Sequence, residues 1–355
     1  EAANGDLDDA RQSVADGFKV LADAGASLPS SGLRPELIAM TARAAILHSK
    51  TQEWRQMADG LADAIALANA EYGPDHPNVM NLHHSRGIAL RQAGDNEGGL
   101  TEFTIAAHIG ETRLAPSPAV AMAIYAVGNT LLAMQRVDAA IPVLYRSVEM
   151  ARATLPPHDL RLAEPVGLLA AAYADKLRYA DALPMYDEQI TILENRGLPD
   201  DEEIASAYQN RGDLHTQEHH NDLALADLER ARRIYEKLEL HDDMYAVMGS
   251  LADVYLDLDR LPEALEITSL IMSAADVAPA QRADAKFKHG KARWYTGVLT
   301  KRRSEQDLGL AEVRAARADL VASNVVGNAV EVADTWLATL PERLEESEQG
   351  RTTLP

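Results

Sequence analysis

Five residues have the spacing of a metal site. His215-Thr216-Gln217-Glu218-His219 places two imidazoles at i and i+4, one turn apart on a helix, with a glutamate that could polarise a metal-bound water. That set is the one a zinc-dependent hydrolase would need, acting through His215, Glu218 and His219, but His215 falls at a packing position, His219 falls in the turn between two helices, and no third ligand-bearing helix is evident. His83 and His84 are chain neighbours that fall on different helix faces and are expected at the surface. Asp200-Asp201-Glu202-Glu203 stands at a helix start, where negative charge complements the helix dipole. Cysteine is absent, which removes thiolate metal sites, disulfides and cysteine nucleophiles together. No glycine-rich phosphate loop, GxGxxG or GxSxG occurs. These residues are expected to be non-catalytic and to carry no cofactor.

The remaining chemistry is charge. The 355 residues include 34 basic and 55 acidic ones, a net charge of −21, which argues against non-specific nucleic-acid binding. Residues 281–320 reverse the sign, with ten basic against five acidic, a net of +5. Lys286, Lys288, Lys291, Arg293 and Lys301-Arg302-Arg303 stand there beside Trp294 and Tyr295. This basic patch has two readings: a site for an anionic peptide or phosphate, or cations that pair with the acidic remainder of the chain. Hydrophobic residues make up 46%, a globular value. The longest nearly apolar run, Ala119 to Met134, is broken by Gly128-Asn129-Thr130 and falls short of the roughly 20 residues a membrane span requires. Glu1 to Asp9 are polar and acidic with no signal-peptide pattern, and no initiating methionine is present, so a fragment or processed product is expected. Either the cytoplasm or an extracytoplasmic location fits.

The elements that must position these groups repeat. Small residues recur at Ala45, Gly87, Gly128, Ala170, Gly212, Ala252 and Gly290, spaced 42, 41, 42, 42, 40 and 38. A second series, Gly99, Ala140, Ala182, Ala224 and Ala264, is spaced 41, 42, 42 and 40. Two independent landmarks with one period mark a repeat array. Each unit predicts two helices. Asn78 to Gln92 is followed by a turn at Gly94-Asp95-Asn96, and then by a stripe of Leu100, Phe103, Ile105, Ala106 and Ile109. Proline-bearing steps such as Gly73-Pro74-Asp75-His76-Pro77, Pro116-Ser117-Pro118 and Pro199-Asp200-Asp201 separate the units. The first small residue is expected to face the second helix of its own unit, and the second to meet the next unit.

This pattern resembles tetratricopeptide repeats: Gly87, Leu90, Gly94, Gly99, Phe103 and Ala106 in one unit, Ala170, Tyr173, Ala182 and Tyr186 in another. The period near 42, the linker at 73–77 and the steps Ala140-Ile141-Pro142 and Ala182-Leu183-Pro184 are similar to the kinesin-light-chain type. The paired asparagines of that type are reduced here to Asn210. Residues 285–294 and 331–337 also look like the end of repeat regions attached to bacterial, myxobacterial-type serine/threonine kinases, although no kinase motif occurs.

The resemblance implies an all-α, right-handed α-solenoid of antiparallel helix pairs over residues 1–340, about seven to eight pairs in number. Gly5 to Ala24 would be a second helix without its first, 280–322 the last pair, 324–340 a capping helix and 341–355 a polar tail. It implies a peptide or helix partner held in a concave groove lined by His84, Ile88, Arg91, Tyr125, Asn129, Leu132, Gln209, Asp213, Asp253 and Asp257. Asn129 is the sharpest of these, since an amide bonds both donor and acceptor of a peptide backbone. A sensor region of a bacterial kinase is the alternative.

Overall fold

The computed structural model describes residues 34–197, 201–323 and 329–340, together with the isolated positions Gln12 and Asp16. The expected helix at 5–24, the step at Pro199-Asp200, positions 324–328 of the capping helix and the tail at 341–355 lie outside the described residues. All regular structure among the described residues is helical. The chain divides into two compact units, residues 1–178 and 179–355.

Unit 1 holds α1 (Arg34–Leu47), α2 (Trp54–Tyr72), α3 (Pro77–Gln92), α4 (Asn96–Arg113), α5 (Pro118–Ala133), α6 (Val137–Thr154) and α7 (Ala163–Asp175). Each packs on the next in chain order, and α5 also meets α7. Unit 2 holds α8 (Tyr179–Asn195), α9 (Glu202–Gln217), α10 (Asn221–Lys237), α11 (His241–Asp257), α12 (Leu261–Ser273), α13 (Pro279–Leu299), α14 (Arg303–Ala322) and α15 (Ala329–Ala338). Neighbours again pack in order, and the first helices of successive hairpins touch, α9 on α11 and α11 on α13.

Local chemistry sets the helix starts. Pro77, Pro118 and Pro279 occupy first-turn positions where no backbone donor is needed. His76, Asp95, Ser117 and Asp201 accept bonds from backbone N–H groups of the following turn.

Close approach explains the first landmark as expected. A Cβ on Gly87 would stand 2.7 Å from the Phe103 ring, one on Gly128 2.5 Å from Leu144, and one on Gly212 2.8 Å from Leu228, each in the second helix of the same hairpin. The second landmark is a correction. A Cβ on Gly99 would stand 3.1 Å from the Gly87 carbonyl oxygen, so this residue closes its own hairpin rather than meeting the next unit. The later contact falls to Gly110, whose Cβ would meet Val120 of the following hairpin at 3.1 Å.

The end of unit 2 is aromatic. Phe287, Trp294, Tyr295 and Trp336 form one buried cluster. The Trp294 and Trp336 rings stand 5.6 Å apart at 87°, and the Trp336 indole N–H donates to the Tyr295 hydroxyl over 3.3 Å. Residues 285–294 and 331–337, which carried the kinase-region resemblance, supply much of this packing.

Candidate functional site

Side chains one position after the first landmark, and three before it, are the ones the resemblance assigns to a groove; among them His84 and Gln209 also touch the second helix of their own hairpins, at Phe103 and Tyr235. Unit 1 and unit 2 each carry such a set.

In unit 1, α3 contributes His84, Ile88 and Arg91, and α5 contributes Tyr125, Asn129 and Leu132. The His84 ring lies 5.4 Å from the Phe103 ring, and burial holds its pKa below the usual imidazole value. Ile88 is exposed and Arg91 half-buried. The Tyr125 hydroxyl donates to Glu164 of α7 over 2.6 Å and accepts from the Asn129 amide over 3.3 Å. Burial, and then the Glu164 carboxylate, push the Tyr125 phenol well above its ordinary pKa. One of the two N–H donors of the Asn129 amide is thus engaged. His83, expected at the surface, is a correction: it is buried, with Nδ1 2.5 Å from the buried Glu102 carboxylate, which Arg86 also holds. Its position on α3 turns it into the hairpin.

In unit 2, three first helices bring together residues far apart in sequence. Lys288 of α13 is buried, and its ammonium bonds Asp253 over 2.8 Å, Asp284 over 2.7 Å and the Gly249 carbonyl over 3.0 Å. Burial alone would lower its pKa, but Asp253 and Asp284 more than offset this and hold it above the usual lysine value. Asp213 of α9 is pushed up to about 6, first by burial and further by Asp253, against the opposing pull of a Ser250 hydrogen bond and of Lys288. Asp257 is raised too, again chiefly by burial, and His219 lies 3.5 Å from it. Gln209 accepts from the Tyr235 hydroxyl over 3.3 Å. The four aspartates outnumber the one lysine among them, so this face is acidic.

The raised pKa of Asp213 has a definite sign. The folded state binds this proton more tightly than the unfolded chain, so the contribution favours folding below about pH 4 and is lost as pH rises through about 6. Asp213→Asn is therefore expected to gain roughly 1–3 kcal/mol at pH 7.5 and nothing below pH 4. Urea titrations at the two pH values check this; equal effects at both would contradict the assignment.

Of the two readings of the basic patch, pairing describes its residues 286–294, while Lys301, Arg302 and Arg303 are exposed. Lys288 and Trp294 are buried, Lys286 pairs with Asp319 over 2.8 Å, and Arg293 pairs with Glu312 and with Glu305 over 3.4 Å. Lys291 lies over the Phe287 ring at 5.5 Å. Carboxylates of α11, α13 and α14 come opposite these cations because the helices stack. The histidine pair of the metal motif does not share a helix. Helix α9 ends at Gln217, and His219 sits beyond it with φ 56, reaching Asp257, while the His215 ring packs 5.8 Å from that of His220. Burial lowers the His215 pKa. Among the described residues no three His, Asp or Glu are placed to hold a metal ion.

Sequence reasoning missed a recurring polar bond inside the hairpins. Arg86 grips Glu102, Arg211 grips Asp227 through two bonds of 2.7 Å, and Arg293 grips Glu312. Glu102 and Asp227 stand three residues after the second small landmark, and Glu312 three after Gly309, where other hairpins carry Val143, Met185 or Ile267. An acid at a position otherwise apolar was the available signal.

The comparisons agree with this geometry. Residues 162–237 match the family model for the tetratricopeptide repeat. No curated protein matches the sequence. The fold is similar to that of BtubC (BKLC) from P. vanneervenii, at 16% identity over 66% of this chain and 92% of that one, with a TM-score of 0.56. It is similar to the apo form of RapI, at 13% identity over 100% of this chain and 94% of that one, TM-score 0.61. A third likeness is to a signal transduction ATPase with numerous domains and a tetratricopeptide repeat sensor from Pyrococcus horikoshii, at 12% identity over 82% of this chain and 43% of that one, TM-score 0.61. Residues 162–237 are thus a tetratricopeptide-repeat segment, and the described residues as a whole share the helical-hairpin fold of such repeat proteins.

Proposed function

We propose that this chain is a non-catalytic interaction module that holds a peptide or helix of a protein partner against the face of its first helices. The observation that carries this is the series one position after the first landmark: Ile46, Ile88, Asn129, Ala171, Asp213, Asp253 and Lys291. The landmark beside it stays small throughout because packing demands it, whereas this series passes from exposed isoleucine to half-buried aspartate. A face that varies chemically on an invariant scaffold suits recognition. Its acidic part favours partners bearing lysine or arginine. The Pyrococcus horikoshii protein, whose repeat region is a sensor, supports a sensor role within a larger chain; the link to a kinase rests on the resemblance of 285–294 and 331–337. No described helix is long and apolar enough to cross a membrane.

Selection from a random 12-residue peptide library, followed by fluorescence polarisation, tests the reading. Enriched peptides are expected to lose about 10-fold or more in affinity for the Asp253→Asn/Asp257→Asn variant, since two charge-assisted contacts go. Failure to enrich any peptide, or full binding to the variant, would count against it.

A further inference from the structure

Unit 2 has a second recess, on the other side of α11. Tyr255 is two residues from Asp253, about 160° around the helix, so the two side chains leave α11 in nearly opposite directions. Beneath Tyr255, between α10 and α12, lies a cavity of about 220 Å³. This is below the roughly 300–1,000 Å³ of small-molecule pockets and suits one long side chain. Its floor is apolar, made by buried Met248 and Ile267, with Leu270 as an exposed wall. Its rim carries Glu229, Glu263 and Glu266 together with one cation, Arg232, so the carboxylates outnumber it.

Two of those carboxylates already have partners. Glu229 bonds Arg232 over 3.1 Å and accepts from Tyr255 over 3.3 Å, and Glu263 bonds Arg260 over 2.8 Å. Glu266 is exposed and makes no ion pair among the described residues. Leu270 is 55% exposed on the same helix, one turn further along. An apolar shaft ending in an unmatched carboxylate is the complement of a side chain that is aliphatic along its stem and cationic at its tip.

We infer that this recess accepts a lysine or arginine side chain of a partner protein, its methylenes against Met248, Ile267 and Leu270 and its cation at Glu266. This does not depend on the first-helix face, and the experiment separates the two. The probes are an acetylated nonapeptide with three lysines among glycines, and the same peptide with 2,3-diaminopropionate in their place, equal in charge but without the stem. Binding to the full chain is followed by the methionine methyl NMR signals and by calorimetry. The Met248 methyl is expected to shift with the lysine peptide, which binds about 5-fold or more tighter than the short-stem one. Glu266→Gln is expected to remove most of that preference, and Asp253→Asn to leave it in place. Leu270→Ala is a second variant on the exposed wall, and it too should shrink the preference. Equal binding of the two peptides, or a still Met248 methyl, would overturn the assignment; shifts that vanish with Asp253→Asn would place the cation on the first-helix face instead.

Discussion

Gly309→Ala is expected to lower stability by about 2–4 kcal/mol, although alanine is the better helix former by ~1 kcal/mol. A Cβ at residue 309 would lie 2.6 Å from the Gly290 carbonyl oxygen and 2.6 Å from the Trp294 amide nitrogen, and one at Gly290 would lie 2.8 Å from the Gly309 carbonyl oxygen. Both obstacles are backbone, so relief requires α13 and α14 to separate along a seam that also carries buried Val313 and Ala316. Gly128→Ala is the control. Its Cβ meets the Leu144 side chain at 2.5 Å, and a leucine can rotate where a backbone cannot. That variant is expected to lose no more than about 1 kcal/mol once the helix-propensity gain is included. Denaturant unfolding compares them; a Gly309→Ala protein as stable as Gly128→Ala would show that α13 and α14 do not approach this closely.

Lys288→Met is expected to cost about 2–3 kcal/mol at pH 7.5. Removing the ammonium leaves Asp253 and Asp284 facing one another and Asp213 behind them without a cation. Breaking a fully buried pair typically costs ~3–5 kcal/mol, but the side chains of Asp253 and Asp284 are 44% and 37% exposed, so water recovers part of it. The loss must also depend on pH. Without Lys288 the carboxylates bind protons more tightly in the folded state than in the unfolded chain, so the deficit grows as pH rises from about 4 through 6 and beyond. Asp253→Asn in the same background is expected to recover part of the stability at pH 7.5. A Lys288→Met protein with a pH-independent deficit would mean that packing, not charge, explains the lysine.

The hairpins were legible because packing restricts residue type: only glycine or alanine lets two helices close to these distances, and such residues show in a sequence. The turns have the same period, and those at Gly94 and His219 were legible, but residue type does not mark the series as a whole. Residues 52, 94, 135, 177, 219, 259 and 301 all have φ between 56 and 83, at spacings of 42, 41, 42, 42, 40 and 42, yet they are Gln, Gly, Gln, Leu, His, Asp and Lys. A left-handed residue costs about 1–2 kcal/mol without glycine, little enough for hairpin packing to override. His219 belongs to this series, which is why a motif of metal-site spacing forms no helical pair. The basic patch left its two readings open for another reason. Adjacent cations are visible in sequence, but the carboxylates that meet Lys288 and Arg293 include Asp253 and Glu312, supplied by neighbouring helices. The register places Asp213 and Asp253 one position after small landmarks; the burial of Lys288 between Asp253 and Asp284 was not legible.

Hydrogen–deuterium exchange on the full chain, with and without a library-selected peptide, tests the interaction reading most directly. In the Glu266→Gln variant, where the α10–α12 recess no longer competes, bound peptide is expected to slow exchange in first helices, α9, α11 and α13 for a basic peptide, while the second helices α10, α12 and α14 stay unchanged. Slowing confined to the second helices, or none at a saturating concentration, would contradict it.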